Sequence, residues 1–292
     1  MLQQCWPMSV ARFPHLARSL PLLACLLLGA CATGPRGLQI DDSFPSSNQD
    51  SRAQLLILHY TVGNFESALK TLTQPNSGGG EVSAHYLVRD EPVRIYRLVD
   101  ESRRAWHAGV SRWKGWGNVN AASIGIEIVN PGRVDTPDGP RYAPYPQAQI
   151  DEVIRLCQDI VARHRIRPDR ILGHSDVQPL SKQDPGPAFP WKQLWAAGLI
   201  PWPDEALAAS LRPQYEQALP EAAWFQQKLA QHGFGLAQSG LWDIETRKVL
   251  AAFQMKYRPD RHDGEADAET AALLDVVTRR EGFRMKDGSL PR

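Results

Sequence analysis

Two segments of strand length, each apolar apart from one ionisable residue, set the strongest limits on how this chain can fold. "QLLILHYTV", residues 54–62, is an apolar run broken by His59, and "SIGIEIVN", residues 123–130, alternates with period two. In the second, Ile124, Ile126 and Ile128 share one face, so Glu127 lies on the other with Gly125 and Val129. That second face either lines a cleft or meets solvent. "HYLVRDE" (85–91) and "VRIYRLVD" (93–100) read as a hairpin pair. "PQAQIDEVIRLCQDIVARHR" (146–165) places Ile150, Val153, Ile154, Cys157, Ile160 and Val161 on one helical face, and the short strand "RILGH" follows, ending on His174.

With 292 residues, 42% hydrophobic and 22% charged, the chain is long enough for two domains and apolar enough for a real core. Its 33 basic residues against 32 acidic ones exclude the electrostatic footprint of a nucleic-acid binder. A partner must be recognised by a site and not by bulk charge.

Arg12, His15 and Arg18 precede the apolar run Leu20 to Ala30, a pattern that reads as a secretory signal too short to span a bilayer. Leu28, Gly29 and Ala30 stand before Cys31, which resembles the lipobox of bacterial lipoproteins; an ordinary secretory signal with a chance cysteine is the alternative. The resemblance implies lipidation of Cys31 and anchoring in a membrane by several acyl chains. With Ala at position 32, it implies an outer-membrane lipoprotein facing the periplasm. Cys5 and Cys25 would leave with the signal, so Cys157 is the cysteine expected to stay free, on the buried face of its helix.

The expected organisation is a signal over 1–30, a tether over 31–52, a catalytic body over 53–200, a linker over 201–219, a helical domain over 220–280 and a tail over 281–292. Four prolines in "GLIPWPDEALAASLRPQYEQALP" suggest the linker, because they interrupt any continuous core element. Beyond it, twin D-x-E-T helix starts at Asp243 and Asp267 mark an internal repeat with aspartate N-caps. This segment resembles the three-helix type of peptidoglycan-binding module; a generic helical appendage is the plainer alternative.

The chemistry concentrates in "GHSDVQPLSKQDPGPAFPW", residues 173–191, where His174 and Asp184 are two acceptable zinc ligands ten positions apart. A lone strand histidine such as His59 is more often a satisfied structural residue than a ligand. Joined to the other two, it completes two His and one carboxylate with an open fourth place, the catalytic pattern of zinc. Glu127 would hold a water against the metal if it shares the face of His59, and otherwise is a solvated strand residue. Lys182, two residues before Asp184, either points at the same cavity to stabilise an oxyanion or is a solvated loop lysine. The Trp-rich segment "RAWHAGVSRWKGWGNVN" reads as a long functional loop.

"LILHYT", "SAHYLV", "AWHAG", "SIGIEIVN" and the 173–191 stretch together resemble the zinc-dependent type-2 N-acetylmuramoyl-L-alanine amidases, over about residues 50–200. The resemblance implies an α/β fold, a mixed central sheet flanked by helices, related to peptidoglycan recognition proteins. It implies one Zn²⁺ held by His59, His174 and Asp184, with Glu127 as general base and Lys182 stabilising the oxyanion. It further implies hydrolysis of the amide between N-acetylmuramic acid, or its 1,6-anhydro form, and L-alanine of the peptidoglycan stem peptide. The lipobox, body and module together are similar to the outer-membrane branch of that family more than to its cytoplasmic recycling branch. Trp106, His107, Trp113 and Asn120 are expected groove contacts, while His85 leans towards a structural over a substrate-contacting role. The rivals are a non-catalytic wall binder of the same fold and a zinc peptidase cutting within the stem peptide, although no H-E-x-x-H motif is present.

Overall fold

A computed structural model describes residues 38–75, 80–137 and 139–291. The chain divides into Met1–Gln49 and a compact unit, Asp50–Arg292. The signal segment, Cys31 and the first residues of the expected tether lie outside the described residues, and residues 38–49 are exposed throughout.

In the larger unit, β1 (Leu55–Tyr60), β2 (Tyr86–Arg89), β3 (Arg94–Arg97), β6 (Ser123–Ile128) and β9 (Ile171–Gly173) form one mixed sheet in the order β3-β2-β6-β1-β9. β2, β6, β1 and β9 run parallel, and β3 closes one edge as the antiparallel arm of the expected hairpin. Small hairpins β4–β5 (Arg112–Trp113, Trp116–Gly117) and β7–β8 (Arg133–Thr136, Gly139–Tyr142) stand apart from it. The three central strands are buried because they must be covered on both faces, which is why their sequences are so apolar. Leu56, Leu58, Ile124, Ile126 and Ile128 are 0% exposed.

α2 (Gln147–His164) supplies cover with Ile150, Val153, Cys157 and Ile160, and its Gln149 amide donates to the Val88 and Val129 carbonyls. α1 (Phe65–Thr73) follows β1, capped by Asn64, whose side chain accepts from the Ser67 N–H. It packs Phe65, Ala68 and Leu72 with Leu87 and Val129 in a smaller apolar cluster.

Two expectations need correction. His174 does not end a strand: it opens the single helical turn α3 (His174–Val177), whose Asp176 accepts from the Gly173 N–H. The stretch 201–219 is not a loose linker. After α4 (Trp191–Ala196) come β10 (Trp202–Pro203) and α5 (Glu205–Gln217), and α5 accommodates Pro213 within its length. The chain end returns to this region, where β11 (Phe283–Arg284) pairs with β10, so part of the expected tail is a strand.

The helical region is α6 (Ala222–His232), α7 (Ile244–Tyr257) and α8 (Ala268–Thr278). Its internal repeat is exact to a tenth of an ångström at the caps. Asp243 Oδ1 accepts from the Thr246 N–H at 2.8 Å and its hydroxyl at 2.7 Å, and Asp267 Oδ1 accepts from the same groups of Thr270 at the same distances. In each copy a fully buried glutamine ties the cap to the preceding helix. Gln226 donates to Thr246 Oγ1 and accepts from the Gly240 N–H; Gln254 does the same with Thr270 and Gly264. Such satisfied buried amides fix geometry, because an unpaired one would cost about 1–3 kcal/mol. α5 lies along α8, with the Tyr215 hydroxyl donating to Asp275 at 2.9 Å.

Candidate active site

β1 and β6 lie in parallel register with His59 beside Glu127, so both side chains emerge on one face near the C-terminal ends of their strands. β9 lies on the other side of β1, pairing Gly173 with Leu58, and this brings His174 beside His59. The loop after α3 returns through the cis Asp184–Pro185 bond, and the Ser175 N–H donates to the Asp184 carbonyl at 2.9 Å. Irregular chain is thereby pinned to the sheet end, and Asp184 faces the two histidines.

His59 Nδ1, His174 Nδ1 and Asp184 Oδ2 form a triangle with edges of 3.0, 3.0 and 2.9 Å, all three residues buried. Around a tetrahedral ion with ligand bonds of about 2.0 Å such edges would be about 3.3 Å, so the donor set fits one small cation with a slight expansion. The outer nitrogens are also engaged. His174 Nε2–H donates to Gln178 Oε1 at 3.0 Å, and His59 Nε2 lies 3.0 Å from His107 Nδ1. Burial, then neighbouring His174, holds His59 at about 4, so it is neutral as a metal ligand must be.

The triangle opens on a cleft of about 620 Å³ whose walls include Ser83, Trp106, Glu127, Lys182 and, from α7, Lys248 and Met255. Glu127 is half-buried, and its Oε2 has no hydrogen-bond partner among the described residues. Burial, reinforced by Asp184, pushes its carboxyl well above the usual carboxylate range, with Lys182 acting the other way. A buried carboxylate oxygen without a partner beside a metal-type triangle suits proton transfer. Lys182 is exposed at the rim.

Of the expected groove residues, Trp106 is 42% exposed and lines the cleft. The others hold the fold. His85 is 0% exposed: its Nδ1 accepts from the Gly125 N–H at 3.0 Å and its Nε2–H donates to the Arg103 carbonyl at 3.1 Å. Asn120 Oδ1 accepts from the N–H groups of His107 and Ala108, clamping the Trp-rich loop. Trp113 is buried edge-on against His232 and Phe234. His107 reaches the cleft but is itself nearly buried and spends both ring nitrogens on His59 and Ser123.

Sequence reasoning missed the contribution of α7. Lys248 Nζ donates to the Leu180 carbonyl at 2.6 Å, and Lys256 Nζ is buried against Asp176 at 2.7 Å and over the Trp191 ring. The helical region thus braces the segment that carries His174, Lys182 and Asp184. It also missed Gly125, where a Cβ would stand 2.4 Å from the His107 ring, although a glycine inside a strand is a signal of close approach.

The family model described as N-acetylmuramoyl-L-alanine amidase matches residues 49–187, and the putative peptidoglycan binding domain model matches residues 219–274. The chain is 38% identical over 272 residues to N-acetylmuramoyl-L-alanine amidase AmiD of Escherichia coli, covering 89% of this chain and 96% of that one. Its structure is similar to that of AmiD from E. coli in complex with anhydro-N-acetylmuramic acid-L-Ala-D-γ-Glu-L-Lys (TM-score 0.71, 36% identity, 86% of this chain and 98% of that one). It is similar also to AmpDh3 from Pseudomonas aeruginosa in complex with anhydromuramic pentapeptide (TM-score 0.73, 37% identity, 82% and 96%). With these similarities running through both the sheet and the helical region, the chain belongs to the N-acetylmuramoyl-L-alanine amidase family.

Proposed function

We propose that the chain hydrolyses the amide joining the lactyl group of N-acetylmuramic acid, or its 1,6-anhydro form, to L-alanine of the peptidoglycan stem peptide, using one zinc ion. The observation that carries this reading is the His59–His174–Asp184 triangle with Glu127 beside it in the cleft, its Oε2 without a hydrogen-bond partner among the described residues. The anhydromuramyl peptides held by the two similar solved structures support the substrate class.

His59, His174 and Asp184 would hold the ion, two neutral imidazoles and one carboxylate being a set that zinc takes in catalytic sites. Bound there, zinc supplies Lewis acidity, polarising the scissile carbonyl and making water acidic near neutral pH. Glu127 accepts the proton of the attacking water and passes it to the leaving amine of L-alanine. Its raised affinity for a proton suits the second task, and the cation would lower it towards the first. Lys182 brings a positive charge to the cleft rim, where it offsets the oxyanion developing at the carbonyl. Trp106 offers a flat apolar face to the sugar or peptide. The helical region would hold the polymer while the cleft cuts it, and acylated Cys31 would anchor the protein to the outer membrane, facing the periplasm.

Mass spectrometry of muropeptide digests tests the reading, run on intact sacculi and on soluble anhydromuropeptides. Release of free stem peptides beginning at L-alanine, lost on chelation and restored by Zn²⁺, is the expected result. A cut within the stem peptide would instead make the protein a peptidase, and binding without any cut would make it a wall-binding protein.

A further inference from the structure

The hydrogen bonds behind His59 fix where its proton sits. Ser123 Oγ lies 2.7 Å from the Val119 carbonyl, which only accepts, so the one hydroxyl proton of Ser123 goes there. At 3.1 Å from His107 Nε2, Ser123 Oγ must therefore accept, and the proton of neutral His107 is on Nε2. His107 Nδ1 is then a lone pair, and at 3.0 Å from His59 Nε2 it must accept the His59 proton. His59 Nδ1 is left bare, turned towards His174 and Asp184. Period two on β6 builds this chain: Ser123 is the acceptor, Gly125 leaves room for the His107 ring, and Glu127 stands beside His59, all on one face.

We propose that Ser123 and His107 are positioning residues that hold His59 in its Nε2–H tautomer, presetting its Nδ1 lone pair for the metal before the metal arrives. This rests on the zinc reading above for its purpose but not for its geometry. A relay that ends on a backbone carbonyl is rigid, because the carbonyl has no proton to send back. His174 obtains the same tautomer more simply, through Gln178. Asp184 Oδ2, 2.9 Å from His59 Nδ1 and 3.0 Å from His174 Nδ1, is the acceptor that competes with this relay for the His59 proton. With the relay in place, two lone pairs 3.0 Å apart and a carboxylate oxygen converge on one point, an arrangement a cation relieves. Outer-shell partners of this kind typically change metal affinity by about 10–100-fold when removed.

The test is long-range ¹H–¹⁵N imidazole NMR on the full-length, metal-free protein, followed by Zn²⁺ affinity measured in competition with a chelating dye. Metal-free wild type should show His59 and His107 both protonated on Nε2. His107→Leu should let His59 populate both tautomers and weaken Zn²⁺ binding about 10–100-fold. His107→Asn keeps an acceptor oxygen where Nδ1 stands and should recover most of that loss, and Ser123→Ala should fall between. A wild-type His59 protonated on Nδ1 would overturn the proposal whether or not any variant folds. Equal Zn²⁺ loss in His107→Leu and His107→Asn would also overturn it, since packing alone would then explain both. A wild type with the expected tautomers that takes up no Zn²⁺ would refute the metal reading and leave the tautomer assignment standing.

Discussion

Replacing Lys256 with methionine removes the charge with which α7 braces the catalytic segment. Lys256 and Asp176 are 7% and 1% exposed at their side chains, and their 2.7 Å contact is reinforced by the Trp191 ring, 4.2 Å from the ammonium. Without that ammonium, the Asp176 carboxylate stays buried with the Gly173 N–H as its remaining donor among the described residues. Breaking one side of a buried pair costs about 3–5 kcal/mol, because the abandoned charge can neither reach water nor find a partner. For a unit of this size each kcal/mol lowers Tm by about 2–4 °C, so a fall of about 6–20 °C is expected. The double variant Lys256→Met with Asp176→Asn should recover a large part of it, since no unpaired charge is left. Denaturant unfolding and calorimetry of wild type, both single variants and the double variant read the coupling. Asp176 stands two residues after His174 in one helical turn, so the single variant should also weaken Zn²⁺ binding. A Lys256→Met loss below about 1 kcal/mol, or a double variant no better than the single, would refute the reasoning that this pair braces the site.

Glu127→Gln should retain the fold and Zn²⁺ while turnover falls by about 10²–10⁴-fold, and near wild-type kcat would exclude Glu127 as the base. The same variant makes a pH prediction: a carboxyl whose folded-state pKa is raised binds its proton more tightly folded than unfolded, so metal-free wild type loses stability as pH rises from the ordinary carboxylate value towards the folded one. The Tm advantage of Glu127→Gln over wild type should therefore grow over that interval, and a flat difference would contradict the burial of this group. Trp106→Ala should raise KM more than it lowers kcat, because the exposed ring lines the cleft and is not one of the ligand triangle; an unchanged KM would remove it from the substrate surface. Cys157, fully buried with its thiol pushed up to about 12, should react with thiol reagents at neutral pH only after unfolding, and fast labelling of the native protein would be inconsistent with its place on the buried face of α2. Cys31→Ser should shift the protein from the membrane to the soluble periplasmic fraction, and persistent attachment would require another anchor.

Much of the sheet was legible because buried strands leave a strong signature. The runs at 54–62, 85–100 and 123–130 hold β1, the β2–β3 hairpin and β6, and period two put Glu127 opposite the isoleucine face. The helix starts at Asp243 and Asp267 were legible for a similar reason, since an N-cap is a local hydrogen bond written within four residues. The glutamines Gln226 and Gln254, which complete the same repeat, were passed over because their partners lie 14–20 and 10–16 positions away. The stretch 201–219 misled through its prolines: Pro213 lies inside α5, an outcome that packing against α8 can impose over local propensity.

The residue types of the site were set by the sequence alone: two histidines, an aspartate, a glutamate and a lysine whose chemistry suits a metal and a proton transfer. Which of them meet was decided by the tertiary structure, because strand order and register are long-range facts. Placing β1 between β6 and β9 brings His59 to Glu127 on one side and to His174 on the other. The same folding carried His85 and Trp113 into the interior and turned the Asn120 amide onto the backbone of the Trp-rich loop. It seated the His107 ring over Gly125, where it still borders the cleft, and it brought α7 to the cleft wall. A side chain's chemistry is local to its residue, whereas its neighbours and its burial belong to the packed chain.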